Sequence, residues 1–326
     1  MARPKLGFLG VGWIGRHRME AMLATGVVEA AAIADPSPDM AAEALKLAPE
    51  AKIVEGLEGL LAEGVDSVVI ATPSALHAEQ SIRALEAGAA VFCQKPLGRN
   101  ADEARAVVEA ARKADRLLAV DFSYRFTEGM RRIRELLSQG ALGRVYAVDL
   151  VFHNAYGPDK AWFYDPALSG GGCVMDLGVH LVDLALWAFD FPKPETIAST
   201  LLSGGAPLAA GQVEDYAVAQ IELEGGTSVR LACSWRLPAG RDAIISAAFY
   251  GTEGGAALNN VRGSFYDFTA EHYRGTSAEL LAQPPDSWGG RAGADWAQRL
   301  AAGERFDPSA ERLVEVAETL DRIYGR

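Results

Sequence analysis

The chain of 326 residues is long enough for about two domains, and 49% apolar and 23% charged residues are typical of a globular protein. Its net charge of −12, with no cluster of lysine and arginine, argues against a nucleic-acid partner. Three separated cysteines, Cys93, Cys173 and Cys233, predict neither a disulfide framework nor a cysteine zinc site. We expect a cytoplasmic protein without a membrane partner, since we find no signal peptide and no apolar stretch of the ~18 residues that a membrane helix needs.

Short β-like runs alternate with helical patterns over the first third of the chain. The predicted strands are Lys5–Leu9, 28–34, 67–71, 89–93 and 117–121, and the predicted helices are Trp13–Ala24, 40–47, 75–87 and Ala101–Ala114. Asn100 is the predicted N-cap of the last of these helices, because Glu103 follows three residues later. This alternation predicts an α/β fold with a parallel, doubly wound sheet over residues 1–121.

The pattern changes after residue 122. The predicted elements are a helix at 127–138, a strand at 144–153, a helix from the glycines 170–172 to about residue 189, several strands between 195 and 259, and a helix at 307–324. Alternating residues between paired glycines favour antiparallel strands in this region. We therefore predict a second, α+β domain over residues 122–326, with a last helix that is free to pack back on the first domain.

A glycine motif follows the first strand, in the run Gly10-Val11-Gly12-Trp13-Ile14-Gly15. Its first glycine permits a tight turn, its second lets backbone N–H groups approach a pyrophosphate, and its third allows close packing of the helix on the strand. The N-terminus of that helix adds a partial positive charge. A turn that binds nothing is the alternative, but the strand, the helix and a later acidic residue agree on a dinucleotide site. The predicted cofactor-binding residues here are Gly10, Gly12, Trp13, Ile14, Gly15 and Asp35.

Asp35 bears on the choice of cofactor. A carboxylate at the end of the second strand accepts hydrogen bonds from the adenosine ribose and repels a 2′-phosphate. No arginine follows it, so NAD is preferred to NADP. The alternative is that Asp35 only caps a turn before Pro36.

The segment from Thr72 to Ser74 lies at the carboxyl end of a predicted strand, where open α/β sheets bind ligands. Ser74 is the predicted N-cap of the next helix. His77 either reaches the cofactor or is a solvated histidine in the first turn. We include Thr72, Pro73 and His77 among the predicted cofactor-binding residues.

Two more segments carry groups suited to proton transfer. Gln94 and Lys95 follow the strand at 89–93, again at a carboxyl end, although a surface lysine in a loop would look the same. Asp176 and His180 are four residues apart, so they share one face of the predicted helix. Polar groups on such an apolar helix imply either a functional pair or a satisfied Asp–His pair at a domain interface.

Together these segments resemble the Gfo/Idh/MocA oxidoreductases, a family that includes inositol and sugar dehydrogenases. The features that carry the resemblance are the glycine motif, Thr72-Pro73 with His77, Lys95-Pro96, Gly171-Gly172 with Asp176-x-Gly178-x-His180, and the segments 124–126 and 140–145. The resemblance implies a Rossmann domain followed by a domain with a large open-faced mixed sheet. It also implies a homodimer or homotetramer that forms through this sheet.

By this resemblance, Lys95, Asp176 and His180 are catalytic, and Gln94 and Lys95 also bind the cofactor. The family implies hydride transfer between the nicotinamide and a secondary hydroxyl of a sugar, inositol or related polyol, and with the Asp35 argument we predict NAD as the cofactor and no metal. Imidazole, with a pKa of about 6.5, suits the base for the hydroxyl proton, and an ammonium can stabilise the same oxygen. Whether Lys95 or His180 takes the proton stays open. The predicted substrate-binding residues are Lys95, Arg125, Asp176 and His180.

Gln94 departs from the family pattern, in which a glutamate beside the nicotinamide ribose precedes the lysine. An amide keeps the hydrogen bonding of that glutamate but removes its negative charge. The hypothesis that follows is that bound NAD⁺ is less stabilised relative to NADH, by about 1–3 kcal/mol at an effective dielectric near 20.

Two other functions are compatible with the sequence. The chain could be a non-catalytic regulatory protein that senses a dinucleotide or sugar, although the three predicted catalytic residues argue against it. It could also be an NAD-dependent glycosidase with transient oxidation, which would release an aglycone without net NADH. Zinc alcohol dehydrogenase chemistry is disfavoured, because no compact set of Cys and His ligands is present.

Overall fold

The computed structural model describes residues 2–326, which form two compact units. The first unit contains residues up to Ser123 and the segment Gly289–Val314, and the second contains Tyr124–Trp288 and Glu315–Arg326. The sequence predicted one boundary between residues 121 and 122. That boundary lies near the end of the first segment, whereas the return of the chain to the first unit at Gly289 was not predicted.

The first unit is built on a six-stranded sheet in the order β3-β2-β1-β4-β5-β6, and every neighbouring pair is parallel. Its elements are β1 (Lys5–Leu9), α1 (Trp13–Ala24), β2 (Glu29–Ala34), α2 (Pro38–Leu45), β3 (Lys52–Ile53), α3 (Gly56–Ala62), β4 (Ser67–Ile70), α4 (Ser74–Glu86), β5 (Ala90–Cys93), α5 (Ala101–Ala114) and β6 (Leu118–Val120). Strands β4 and β5 are buried along their whole length, as strands covered on both faces must be. The predicted parallel, doubly wound sheet is confirmed.

Local capping explains where two of these helices begin. The Asn100 side chain accepts a hydrogen bond from the backbone N–H of Glu103 at 2.9 Å, which confirms the predicted N-cap of α5. The predicted cap at Ser74 is wrong, because Pro73 is the N-cap of α4 and Ser74 is its first helical residue. Proline fixes the extended conformation before the helix without any side-chain hydrogen bond.

The second unit is built on a nine-stranded mixed sheet in the order β15-β14-β13-β12-β7-β11-β10-β8-β9, in which only β7 and β11 are parallel. Its elements are α6 (Glu128–Ser138), β7 (Val145–Asn154), α7 (Pro166–Ser169), α8 (Val179–Ala188), β8 (Pro194–Ser203), β9 (Ala206–Pro207), β10 (Tyr216–Leu223), β11 (Thr227–Ser234), β12 (Ala243–Gly251), β13 (Gly255–Asn260), β14 (Phe268–Arg274) and β15 (Ser277–Ala282). The predicted α+β architecture with a large mixed sheet is confirmed. The last two strands lie beyond the range in which strands were predicted.

Two helices come from the end of the chain. Helix α9 (Arg291–Ala301), which was not predicted, packs in the first unit with Trp296 against Phe92 at a ring separation of 5.6 Å. The predicted helix at 307–324 is a 3₁₀ turn, Pro308–Glu311, followed by α10 (Arg312–Tyr324). The helix divides between the units, because residues up to Val314 belong to the first and those from Glu315 to the second.

The most apolar helical run, Pro166–Ala188, is long and apolar enough to cross a membrane by length and composition alone, with a mean hydropathy of 1.3. The sequence reading expected no segment of that kind. Since 83% of its most apolar 18-residue stretch is buried inside the protein, the run has the burial of a core helix. It contains a wide π-helical turn, Val174–Gly178, directly before α8, and such turns often lie at functional sites.

Candidate functional site

The glycine motif forms a tight turn between β1 and α1. Gly10 has a φ of +83°, and a Cβ there would lie 2.6 Å from the carbonyl oxygen of Ala71. A Cβ on Gly15 would overlap the carbonyl oxygen of Gly10, whereas a Cβ on Gly12 would meet nothing within 4 Å. The turn therefore needs the first and third glycines for its own geometry. It keeps open space above Gly12, where a phosphate could approach the backbone.

The N-terminus of α1 suits an anion. Gly12 is the N-cap and offers no side-chain acceptor, and the first turn, which begins with Trp13 and Ile14, contains no acidic residue. Backbone N–H groups at such an end have no acceptor within the helix, and the helix dipole favours negative charge there. These features and the open space above Gly12 fit the pyrophosphate of a dinucleotide.

Asp35 braces the same turn. One of its carboxylate oxygens accepts the backbone N–H of Val11 at 2.7 Å, and the other accepts that of Ser37 at 2.9 Å. Because each carboxylate oxygen has two acceptor positions, both can still accept a ribose hydroxyl. The contact with Ser37 supports the alternative of a turn cap, while the contact with Val11 places the carboxylate beside the glycine motif.

Both ring nitrogens of His77 contact the protein itself, and its predicted place among the cofactor contacts stays a prediction. Its ring is 1% exposed, with Nδ1 at 2.6 Å from the carbonyl oxygen of Pro96 and Nε2 at 2.7 Å from that of Thr72. Burial lowers the pKa of His77, and the two carbonyl contacts oppose this shift. His77 therefore ties together two loops that follow β4 and β5. Neither sequence alternative, a cofactor contact or a solvated residue, anticipated this.

Gln94 and Lys95 follow β5 at the carboxyl edge of the sheet, and both are half-buried. The Gln94 side-chain amide donates to a carboxylate oxygen of Asp121 at 2.6 Å. The same oxygen accepts the Nε–H of Arg18 at 2.5 Å, and the other oxygen accepts the hydroxyl of Ser123 at 2.7 Å. Since an ionised carboxylate only accepts, the amide must present its NH₂ to Asp121 and keep its carbonyl oxygen for a ligand.

In the second unit, Asp176 lies within the π-helical turn and His180 in the first turn of α8. The Asp176 carboxylate accepts the indole N–H of Trp235 at 3.0 Å. The His180 ring is buried and lies edge-on to Tyr124, with 4.9 Å between ring centres. The predicted shared face of a regular helix is thus modified, because a π-helical turn is wider than an α-helical one. The two side chains lie on one continuous helical run.

Arg125 has a structural partner. Its guanidinium donates through Nε to Asp183 at 2.8 Å and makes a second, short contact to the other carboxylate oxygen. Burial raises the pKa of Asp183, and the neighbouring guanidinium opposes this shift. A buried carboxylate of this kind requires its cation, so the ion pair accounts for Arg125. Its role in substrate binding stays a prediction.

Glu214 lies at the site but was not predicted from the sequence. It is 0% exposed, and its carboxylate accepts the backbone N–H groups of Gly172 at 3.0 Å and Val174 at 2.8 Å. A buried acceptor at this point satisfies donors at the start of the helical run that carries Asp176 and His180. Three consecutive glycines at 170–172 are a sequence signal for close backbone approach, but nothing in the sequence identifies the partner.

Two family models match the chain. Residues 5–122 match the model described as an oxidoreductase family with an NAD-binding Rossmann fold, and residues 130–257 match the Gfo/Idh/MocA C-terminal domain. Among curated relatives, the D-glucoside 3-dehydrogenase of Escherichia coli (strain K12) is 31% identical, over 68% of this chain and 64% of its own length. The inositol 2-dehydrogenase of Rhodococcus erythropolis is 27% identical over 97% and 84% of the two chains.

The fold matches solved structures as well. GenD2 from gentamicin A biosynthesis, determined in complex with NAD, superposes with a TM-score of 0.83 at 26% identity and covers 100% of this chain and 94% of that one. Fold and site therefore define a two-unit, Rossmann-type oxidoreductase. The chain belongs to the Gfo/Idh/MocA family, and its first unit is an NAD-binding Rossmann domain.

Proposed function

We propose that this protein transfers a hydride between NAD(H) and a secondary hydroxyl of a sugar, inositol or related polyol. The observation that carries the proposal is the carboxyl edge of the parallel sheet, where the open glycine turn, Asp35 and Lys95 occur together. Open α/β sheets bind their ligands at this edge. The names of the curated relatives support a sugar or inositol as the substrate class.

The roles that we assign follow the chemistry of the side chains. When bound, NAD⁺ supplies the acceptor for the hydride. His180 accepts the hydroxyl proton, for which imidazole has a suitable pKa near neutrality. The Lys95 ammonium hydrogen-bonds the same oxygen and stabilises its developing negative charge. Asp176, oriented by the indole of Trp235, binds a neighbouring hydroxyl or orients the imidazole.

NAD is the proposed cofactor in preference to NADP. Asp35 would place its negative charge close to a 2′-phosphate, and no arginine beside it offers compensation.

Residues 2–326 contain no group of three or more His, Cys, Asp or Glu side chains that could hold a metal ion.

We also propose a cytoplasmic homodimer or homotetramer. All three cysteines are free and buried, which is compatible with a reducing compartment. One face of the mixed sheet carries partly exposed side chains such as Asp149, Arg230 and Tyr250. Light scattering coupled to gel filtration tests the assembly, and a monomer would refute this part of the proposal.

The activity is tested with a panel of inositols, aldoses, uronic acids and nucleotide sugars, with NADH absorbance recorded for NAD⁺ and NADP⁺. Lys95→Ala and His180→Ala should lose turnover while they still bind NAD. Lys113→Ala, at an exposed position on α5, is the matched control for the lysine variant and should retain turnover. Parental turnover in His180→Ala would refute the acid–base assignment.

The same panel separates the two other functions. Tight NAD binding without reduction by any polyol would favour a regulatory sensor. Release of an aglycone from a glycoside, with no net NADH, would favour the glycosidase.

A further inference from the structure

The glycine run before the Asp176–His180 helix is crowded by two distant residues. A Cβ on Gly172 would overlap the backbone carbonyl of Glu214, and a Cβ on Gly171 would overlap the hydroxyl of Tyr324. Neither glycine has a positive φ, so backbone conformation does not require them. Close approach requires them, and what approaches is the backbone of Glu214 and a phenol from α10.

The contacts among these groups form one network. The Tyr324 hydroxyl donates to Glu214 at 2.7 Å, and the same carboxylate accepts the backbone N–H groups of Gly172 and Val174. The backbone N–H of Cys173 donates to the carbonyl oxygen of Glu214 at 2.9 Å. Three consecutive N–H groups at the start of the helical run are therefore satisfied by one residue, and Tyr324 completes the coordination of its carboxylate.

Further contacts hold the phenol in place. The Arg326 guanidinium lies over the Tyr324 ring at 4.4 Å and donates to the carbonyl oxygen of Gly170 at 2.6 Å. The Ser199 hydroxyl donates to the backbone carbonyl of Ile323 at 2.6 Å. Burial is the main cause that raises the pKa of Tyr324, and the negative charge of the adjacent Glu214 raises it further. The hydroxyl therefore keeps the proton that it donates. The end of α10 is thus fixed to the glycine run and to β8.

We infer that Glu214 and Tyr324 are positioning residues for the proposed reaction, which set the start of the helical run and through it the placement of Asp176 and His180. The inference depends on the proposed function for its catalytic consequence. Asp176 is only four residues after Gly172, and its backbone N–H donates to the Gly172 carbonyl at 3.1 Å. A shift of the glycine run would therefore also move Asp176.

Tyr324→Phe is the primary test, because it removes one hydroxyl and keeps the ring packing. We expect kcat to fall about ten-fold or more, since a displacement of the order of 1 Å in a reacting group costs about a hundred-fold. The matched control is Tyr273→Phe, which removes a comparable phenol-to-carboxylate bond, to Glu271 at 2.9 Å on β14. Its kcat should stay within about two-fold of the parent. Dissociation constants for NAD should be unchanged in both.

A double-mutant cycle with Glu214→Gln tests whether Tyr324 acts through the carboxylate. If it does, the double variant loses no more activity than the more impaired single variant, because the two residues act as one unit. If Glu214→Gln does not fold, the comparison of Tyr324→Phe with Tyr273→Phe still decides. A kcat of folded Tyr324→Phe within about two-fold of the parent, or multiplicative losses in the cycle, would overturn the inference.

Hydrogen exchange provides a readout that does not need turnover. Amides of residues 173–180 should exchange faster in Tyr324→Phe than in the parent and should be unaffected in Tyr273→Phe. Unchanged exchange would reject the positioning contact whatever the activity is. An unreactive parent with the expected exchange pattern would instead reject the proposed function and leave the contact standing.

Discussion

Gln94→Glu puts a second carboxylate against Asp121 and so tests the charge balance beside Lys95. In the structure the Gln94 amide nitrogen lies 2.6 Å from an Asp121 oxygen, which also accepts from Arg18. Asp121 is 1% and Arg18 7% exposed. This cluster is neutral with glutamine at position 94, and a glutamate would leave it with one uncompensated negative charge.

Two carboxylates about 3 Å apart repel by about 5–6 kcal/mol at an effective dielectric near 20, and Arg18 offsets only part of this. The variant can avoid the repulsion by keeping a proton on the new carboxyl. Holding a glutamate with an ordinary pKa of about 4.3 protonated at pH 7 costs about 3.7 kcal/mol, which is an upper limit on the penalty. We therefore expect the free energy of unfolding to fall by about 2–4 kcal/mol at pH 7.

The penalty depends on pH with a defined sign. The new carboxyl ionises near pH 4.3 in the unfolded chain but only at higher pH in the folded protein, so the folded state binds the extra proton. The variant is then as stable as the parent below about pH 4 and loses stability as the pH rises towards the folded-state pKa. At pH 5 the upper limit is only about 1 kcal/mol.

Urea denaturation of the variant and the parent at pH 5 and pH 7.5 measures this difference. Gln94→Met is the control without a carboxyl, and its loss of stability should not depend on pH. Adding Asp121→Asn to Gln94→Glu should relieve the repulsion and flatten the pH dependence. An equal loss of stability for Gln94→Glu at both pH values would refute the reasoning.

The remaining predictions concern the cofactor side. At a pH above the folded-state pKa of the new carboxyl, where it is ionised, Gln94→Glu should strengthen NAD⁺ binding relative to NADH by about 1–3 kcal/mol, measured as a ratio of dissociation constants. Asp35→Ser should raise kcat/KM for NADP⁺ relative to NAD⁺ about ten-fold or more, because the charge that opposes a 2′-phosphate is lost. Gly12→Ala should leave the melting temperature unchanged but weaken NAD binding, since its Cβ meets only the space meant for phosphate. His77→Ala should cost about 2–4 kcal/mol of stability, because a buried side chain is lost and the buried carbonyl group that accepts its ring N–H loses its donor.

Specific results would contradict each of these predictions. If the ratio of the NAD⁺ and NADH dissociation constants is unchanged in Gln94→Glu, the charge argument at position 94 is wrong. If the preference between NAD⁺ and NADP⁺ is unchanged in Asp35→Ser, Asp35 acts only as a turn cap. Gly15→Ala is the contrast to the Gly12 variant and should destabilise the turn itself. For His77→Ala, weaker NAD binding at unchanged stability would restore a direct cofactor contact.

Most of the first unit could be predicted because its signals are local. Strand Lys5–Leu9 and helix Ala101–Ala114 have the predicted bounds, since a short apolar run and an N-cap with its partner three residues on define them. Helix α9 could not be assigned in the same way. Its buried face, with Trp296, packs on a strand about two hundred residues earlier in the chain, and only the folded topology brings the two together.

The residues of the site likewise divide into those that local sequence predicts and those that depend on tertiary contacts. The glycine turn was predictable, because a strand, a turn and a helix fix it within a few residues. The role of His77 was not, because its partners are the carbonyl groups of two loops whose proximity depends on the pairing of β4 with β5. Asp176 and His180 were placed on one helix correctly, but the π-helical turn between them depends on tertiary contacts that the spacing does not show.

The residues that support the site but were not predicted from the sequence share one physical role. Two carboxylates that were not predicted hold the site in shape from a distance: Asp121 accepts from Gln94 across 27 residues, and Glu214 accepts from Gly172 across 42. In each case the acceptor comes from another segment of the chain. It pairs with an N–H donor that lies in a turn or loop and therefore has no partner in a regular helix or strand. Leaving such a buried donor unpaired costs about 1–3 kcal/mol. The predicted cofactor and catalytic residues are recognisable by type and spacing, whereas the acceptors that position them are chosen by the fold.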